Sequence, residues 1–202
     1  MAADKLVLVR HAQPIVVSSQ PSDSWPIDSE GKEALKVLAL FLSVDLGTTI
    51  WSSTETKAQE TAAEIAKTFS LKVQSDARLC EVRRPWMEDP QDYTEVATRL
   101  LAGERIADWE DRKAAQTRIS EAIEDLRESH DGEYLVAVTH GLVMTLYLES
   151  IGAIDARSRG PVDPIEFWSN LGFPDAWRID LPRGWLDRVG YTWDGACSAC
   201  RR

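Results

Sequence analysis

Two histidines in this chain stand directly after short apolar runs. Leu6-Val7-Leu8-Val9 leads into Arg10-His11, and Leu135-Val136-Ala137-Val138 leads into Thr139-His140-Gly141. The chain has three histidines in all, so two in matching places carry information. Lys57 opens a helical segment after Ser52-Ser53-Thr54. Glu81 follows Leu79-Cys80, and Arg83-Arg84 come just behind it. Two imidazoles, several cations and one carboxylate suit a phosphoryl group. A phosphate monoester carries close to two negative charges, and its transfer is mostly positioning and charge stabilisation. Arg10 can grip phosphate oxygens in a bidentate fork, and Lys57 can add a point charge. A neutral imidazole can attack phosphorus and form a phosphohistidine. A second imidazole, protonated, would stabilise the equatorial oxygens. A carboxylic acid near the leaving oxygen would donate a proton and then act as base for water. This chemistry needs no metal and no cofactor, and no carboxylate cluster that would hold a metal is visible.

The elements around these residues alternate. Unbroken apolar runs read as buried strands of a parallel sheet, and ligands bind beyond the carboxyl ends of such strands. Strands are expected at residues 5–10, 48–52, 71–75 and 135–139, with one more at 177–181, possible at an edge. Helices are expected at 31–44, capped by Asp28 or Ser29, and at 55–69, 114–129 and 142–151. Residues 82–112 contain Pro85, Pro90 and Gly103 and read as loops and short helices lying over the sheet rim. The pattern is an α/β three-layer sandwich, with a mainly parallel central sheet and helices on both faces. Residues 1–195 read as a single domain and 196–202 as a C-terminal tail.

Composition narrows the partners. The net charge of −10 argues against nonspecific nucleic-acid binding and against anionic membranes, but not against a small anion in a locally basic pocket. No apolar run is long enough for a membrane-spanning helix, and the N-terminus lacks an export signal, so a cytoplasmic location is expected. Three cysteines make no disulfide framework. Cys80 reads as a small buried residue. Cys197 and Cys200 form a C-x-x-C that is either half a metal or redox site or two thiols on a tail.

Each candidate has a plainer reading. Glu81 could pair with Arg83 or Arg84 at the surface. Arg83 and Arg84 are either a second anion grip or solvated loop charges. Lys57 at a helix start opposes the helix dipole, which an anion lying between would relieve. His130, beside Asp131-Gly132, reads as an exposed turn residue without a role. Of the eight tryptophans, Trp25 and Trp86 lie in segments that approach the site. They could wall the organic part of a substrate.

The segments Leu8 to Ala12, Ser52 to Ala62, Leu79 to Glu81 and Val138 to Gly141 resemble, in order and approximate spacing, the motifs of the histidine phosphatase (phosphoglycerate mutase-like) superfamily. The resemblance spans residues 5 to about 151 and implies a phosphoglycerate mutase-like fold. It implies that His11 is the histidine phosphorylated, that Arg10, Lys57 and His140 form the phosphate pocket, and that Glu81 is the acid/base. Three positions depart from the commonest family pattern. Ala12 and Gln13 stand where glycine and glutamate are usual, and Lys57 stands where arginine is usual. Lysine keeps the charge and loses the fork. Relatives that pair Arg-His-Ala with this lysine and a segment like Glu81 to Pro85 make the combination a sub-branch.

The expected function is a metal-independent phosphatase that hydrolyses a small phosphorylated metabolite through a phosphohistidine. The alternatives are a phosphomutase of the phosphoglycerate mutase type, and a non-phosphatase or regulatory member that kept the pocket. Mutases of this family tend to be longer, with a larger insertion over the site. Oligomeric state is left open.

Overall fold

The computed structural model of the 202-residue chain describes residues 3–42, 44, 48–87, 90–130, 132, 134–154 and 163–190. The elements run β1 (Lys5–Arg10), α1 (Ser29–Ala39), β2 (Thr49–Ser52), α2 (Thr56–Phe69), β3 (Lys72–Ser75), α3 (Pro90–Leu101), α4 (Arg112–Glu128), β4 (Tyr134–Thr139), α5 (Gly141–Ser150), α6 (Pro164–Ser169), β5 (Asp175–Asp180) and β6 (Trp185–Arg188). One six-stranded sheet has the order β3-β2-β4-β1-β5-β6. β1, β2, β3 and β4 are parallel, β5 runs antiparallel to β1, and β6 runs antiparallel to β5.

Alternation along the central strands divides the core in two. Leu6 and Leu8 of β1 and Leu135 and Ala137 of β4 face α4, α5 and α6. Val7, Val9, Val136 and Val138 face α1 and α2. Both faces of β1 and β4 are dry, which is why these strands read as unbroken apolar runs rather than as alternation. The three-layer sandwich follows directly.

Four local expectations are corrected. Helix α1 stops at Ala39 rather than Val44, because Leu40, Phe41 and Leu42 donate to carbonyls three residues back and tighten the chain out of the helix. Residues 82–112 contain one full helix, α3, instead of loops and short helices. Pro90 and Gly103 bound it rather than break it, since proline suits a first turn and Gly103 takes φ +90° just past the end. The strand near 177–181 begins at Asp175 and is not an edge, because β6 covers it. Pro182-Arg183-Gly184 turns the chain between the two, with Gly184 at φ +64°. The ring of His130 is buried rather than exposed and packs against Gly132. The proposed tail, Cys197, Cys200 and Asp131 lie outside the described residues. Among the described residues no helix is long and apolar enough to cross a membrane.

The antiparallel addition is tied down by one buried carboxylate. Asp175 accepts from Arg188 Nε at 2.9 Å and Nη2 at 2.6 Å, and from the backbone N–H groups of Gly172 and Ala176. Replacing Asp175 by Asn should lower unfolding free energy by about 2 kcal/mol, because it leaves a partly buried guanidinium with a poorer partner. Urea titration at pH 7 measures this, and an unchanged midpoint would show that the pair does not secure the strand.

Candidate active site

Strand register brings the two histidines together. In the parallel β1–β4 pair Arg10 lies opposite Thr139, so the next residues on each strand are His11 and His140. Their ring centroids are 5.1 Å apart, close to the spacing of neighbouring strands. The His11 backbone N–H donates to the Thr139 carbonyl at 3.1 Å and prolongs the pairing by one residue. His11 Nδ1 lies 2.8 Å from the Ala12 carbonyl oxygen. A carbonyl can only accept, so Nδ1 carries the proton and Nε2 keeps the lone pair. Burial, reinforced by His140, Lys57 and Arg10, holds His11 well below the ordinary histidine range. The nucleophilic form is therefore the resting form.

Arg10 is half-buried, with its Nε out of contact with solvent, and desolvation pushes its guanidinium down to about 10. Nη1 donates to the Leu171 carbonyl at 2.8 Å, and the Phe173 ring lies 3.5 Å from Cζ. Its Nε has no hydrogen-bond partner. Among the described residues no carboxylate forms an ion pair with it. The absent side chain of Gly141 makes room for it, since a Cβ there would lie 3.0 Å from Nε and 3.1 Å from Cζ. Lys57, at the start of α2, donates from Nζ to the Ser22 carbonyl at 2.7 Å and forms a short ion pair with Glu55.

Glu55 is the residue that sequence reasoning missed. It is 9% exposed. Besides Lys57 it accepts from the Glu81 backbone N–H at 2.8 Å and lies 3.3 Å from His140 Nε2. The signal was present: Lys57 at a helix start called for an anion, and the acid stands two residues earlier. His140 Nε2 also meets Ser53 Oγ at 2.8 Å, while His140 Nδ1 is buried without a partner. Burial, then Lys57, Arg10 and Arg118, keeps His140 well below the ordinary range, so the expected imidazolium is a neutral ring in this structure.

Glu81 does not pair with Arg83 or Arg84. Its carboxylate accepts backbone N–H groups from Val82 at 3.0 Å, Leu142 at 3.1 Å and Val143 at 2.8 Å. It thereby caps α5, whose own N-cap residue His140 makes no side-chain cap. Burial pushes its carboxyl up, and the nearby Glu55 adds to the rise. Arg118 holds this segment by donating to the carbonyls of Arg78, Cys80 and Glu81. Cys80 is half-buried, with Sγ 3.3 Å from Ser53 Oγ and 3.1 Å from Thr54 Oγ1.

These groups line a cavity of about 950 Å³. Arg10, His11, Lys57, Glu81 and His140 form its inner end. Arg83 and Arg84 lie further out. Arg83 is largely exposed and pairs with Glu110 at 2.9 Å, and Arg84 lies 4.4 Å over the Tyr93 ring. Burial raises the Glu110 carboxyl, but hydrogen bonds from Arg118 and Arg83 outweigh it and hold it at about 2. Among the described residues no group of three His, Cys, Asp or Glu is arranged to hold a metal ion.

A parallel-sheet rim carries two facing imidazoles and a half-buried arginine at one end of this cavity. The family model of the histidine phosphatase superfamily (branch 1) matches residues 6–162. The chain belongs to that superfamily, and its enzyme class is phosphatase. Phosphoserine phosphatase 1 of Hydrogenobacter thermophilus is 26% identical over 189 residues, covering 82% of this chain and 80% of its own length. The mycobacterial glucosyl-3-phosphoglycerate phosphatase with inorganic phosphate superposes at TM-score 0.66 with 17% identity, covering 95% of this chain and 97% of its own. The phosphoglycerate mutase of Bacillus anthracis does so at 0.65 with 18% identity, covering 91% and 90%. The phosphoglycerate mutase-like fold expected from the motifs is the fold observed.

The neutral histidines make stability depend on pH. Below about pH 6.5 the unfolded chain binds protons at these positions and the folded chain does not, so stability falls as pH falls. Each such histidine takes a share of that loss. His11→Asn should remove that share, so its unfolding free energy should change less than the wild type's between pH 7 and pH 5. Identical losses in urea titrations would show that His11 is protonated in the folded protein.

Proposed function

We propose that the protein is a metal-independent phosphatase that hydrolyses a small-molecule phosphate ester through phospho-His11. The observation that carries this reading is the half-buried Arg10, without a carboxylate partner among the described residues, beside a histidine whose Nδ1 proton is committed to a carbonyl. A phosphoryl group held by Arg10 and Lys57 would meet Nε2 of His11 as its nucleophile. In the first step the N–P bond forms and the P–O bond to the leaving group breaks. Glu81, whose raised carboxyl suits an acid, gives its proton to the leaving oxygen. Water then attacks phosphorus, returns a proton to Glu81, and inorganic phosphate leaves. Arg83 and Arg84 belong to the outer cavity, where they would meet the organic part.

The outer cavity favours an apolar, flat organic part. Trp25 and Trp86 meet edge to face with centroids 5.3 Å apart, and Trp86 is 41% exposed at the mouth. Trp25 Nε1 is tied to the Val17 and Gln20 carbonyls, which steadies the wall. The arginines available for a substrate carboxylate are mostly engaged: Arg78 with Asp76 and Asp125, and Arg83 and Arg118 with Glu110. Two relatives are named for phosphoserine and glucosyl-3-phosphoglycerate, and among the described arginines of the outer cavity Arg84 is the one without a carboxylate ion pair.

Two experiments test the reading. Brief mixing with a labelled phosphate ester and a base quench should leave label on the wild type, acid-labile and absent from His11→Ala. Turnover of that variant should fall by at least about a thousandfold. Equal activity would remove His11 from the chemistry, and transfer to a second hydroxyl instead of water would make the protein a mutase. Trp86→Ala should lower kcat/KM about tenfold for an ester of an aromatic alcohol and leave a small alkyl ester unchanged. Equal losses on both would remove the aromatic wall.

A further inference from the structure

Phosphate chemistry at His11 calls for a second imidazole that is positive, and the structure holds a neutral one. Three cations are responsible besides burial: Lys57, Arg10 and Arg118. Two of them, Arg10 and Lys57, are the groups that a phosphoryl dianion would neutralise. On one side His140 is backed by oxygens: Ser53 Oγ at 2.8 Å and Glu55 Oε1 at 3.3 Å from Nε2. With a carboxylate there, Nε2 carries the ring proton and Nδ1 keeps a lone pair. That Nδ1 is buried and has no partner. A lone pair facing an oxyanion repels it, whereas a proton placed there turns repulsion into a charge-assisted hydrogen bond.

We propose that Glu55 is the positioning residue that lets His140 take up a proton as the phosphoryl group arrives, so that phosphate enters this site together with one proton, taken up at His140 Nδ1 toward the anion while Nε2 keeps its proton toward the Glu55 carboxylate. The inference rests on the phosphatase reading and concerns the same site.

The charges facing the pair fit this exchange. Toward Glu55 stand Lys57 from α2, the N–H of Glu81, and Ser53 at the end of β2. Toward His140 stand His11 and Arg10 from β1, and the more distant Arg118 from α4. Glu81 contributes a second carboxyl, engaged by three backbone N–H groups. Among the described residues Glu55 is the carboxylate that reaches His140. When a dianion offsets Arg10 and Lys57, the repulsion on an imidazolium falls, and it gains a negative neighbour on each side. The proton comes from solvent or buffer and returns when phosphate leaves. No covalent bond forms or breaks at His140 or Glu55.

Calorimetry with inorganic phosphate at pH 8, where the free ion is already dianionic, tests this in two buffers of different ionisation heat. The wild type should take up about one proton per phosphate bound. Glu55→Gln should bind at least about tenfold more weakly and lose most of the uptake, and Glu55→Asp should restore it. His140→Asn should bind without uptake. Wild-type binding with no uptake, or full uptake in Glu55→Gln or His140→Asn, overturns the inference and leaves the phosphate pocket standing. Absence of wild-type binding in every buffer overturns the pocket itself and this inference with it. Should Glu55→Gln not fold, the wild type and His140→Asn decide, with nitrogen chemical shifts of His140 in the wild type reporting imidazolium formation on phosphate addition.

Discussion

The structure turns on the Arg10 guanidinium, which is half-buried and, among the described residues, has no carboxylate in ion-pair contact. Taking such a charge out of water costs several kcal/mol unless something compensates it. Here the compensation is partial: one carbonyl from Leu171, one aromatic face from Phe173, and an Nε with nothing. An acid in contact would satisfy Arg10 and close the site to anions. Left underpaired, the guanidinium keeps donor capacity that the proposed phosphoryl group would use. The surrounding architecture serves this arrangement. Gly141 keeps space beside Arg10, and the β5–β6 addition, pinned by Asp175 and Arg188, supplies the loop carrying Leu171 and Phe173.

The remaining charges are weighed against that cation. A site with Arg10, Lys57 and two imidazolium rings would bind phosphate product too well to release it. Burial and electrostatic repulsion keep both rings neutral in this structure, which is the form the proposed attack by His11 needs. Glu55 offsets Lys57 through a short ion pair. The lysine at a position where arginine is usual acquires a reason: it shares its ammonium between a carbonyl, a carboxylate and any ligand. A bidentate fork is less suited to that division.

Much of this was legible in sequence because strand ends are. An apolar run that stops at a polar residue marks both a buried strand and the rim where it emerges, so His11, His140 and the Ser52–Lys57 segment could be placed on one edge. Glu81 could be placed near them but not its hydrogen bonds, since capping α5 joins residues 61 positions apart. Glu55 escaped because a glutamate before a helix is an ordinary first-turn residue, and only the fold turns it toward His140. Helix α3 and strand β6 escaped for a different reason. Pro90, Gly103 and Gly184 are punctuation, and punctuation reads equally as interruption or as boundary until the packing of Ala97, Leu100 and Leu101 into the core decides.

The outer cavity follows from the same economy of charge. The chain carries 33 acidic against 23 basic residues, so its arginines are contested. Glu110 alone engages two of them, and holding Arg118 is what fixes the carbonyls of the Glu81 segment. Each arginine committed to scaffolding is withdrawn from substrate recognition. What remains at the mouth is largely indole surface, with Arg84 laid over Tyr93. The inner end thus gathers the ionisable groups and the outer end places two indole rings at the mouth. In the proposed reading, a phosphoryl group joined to a flat, uncharged remainder would meet both ends.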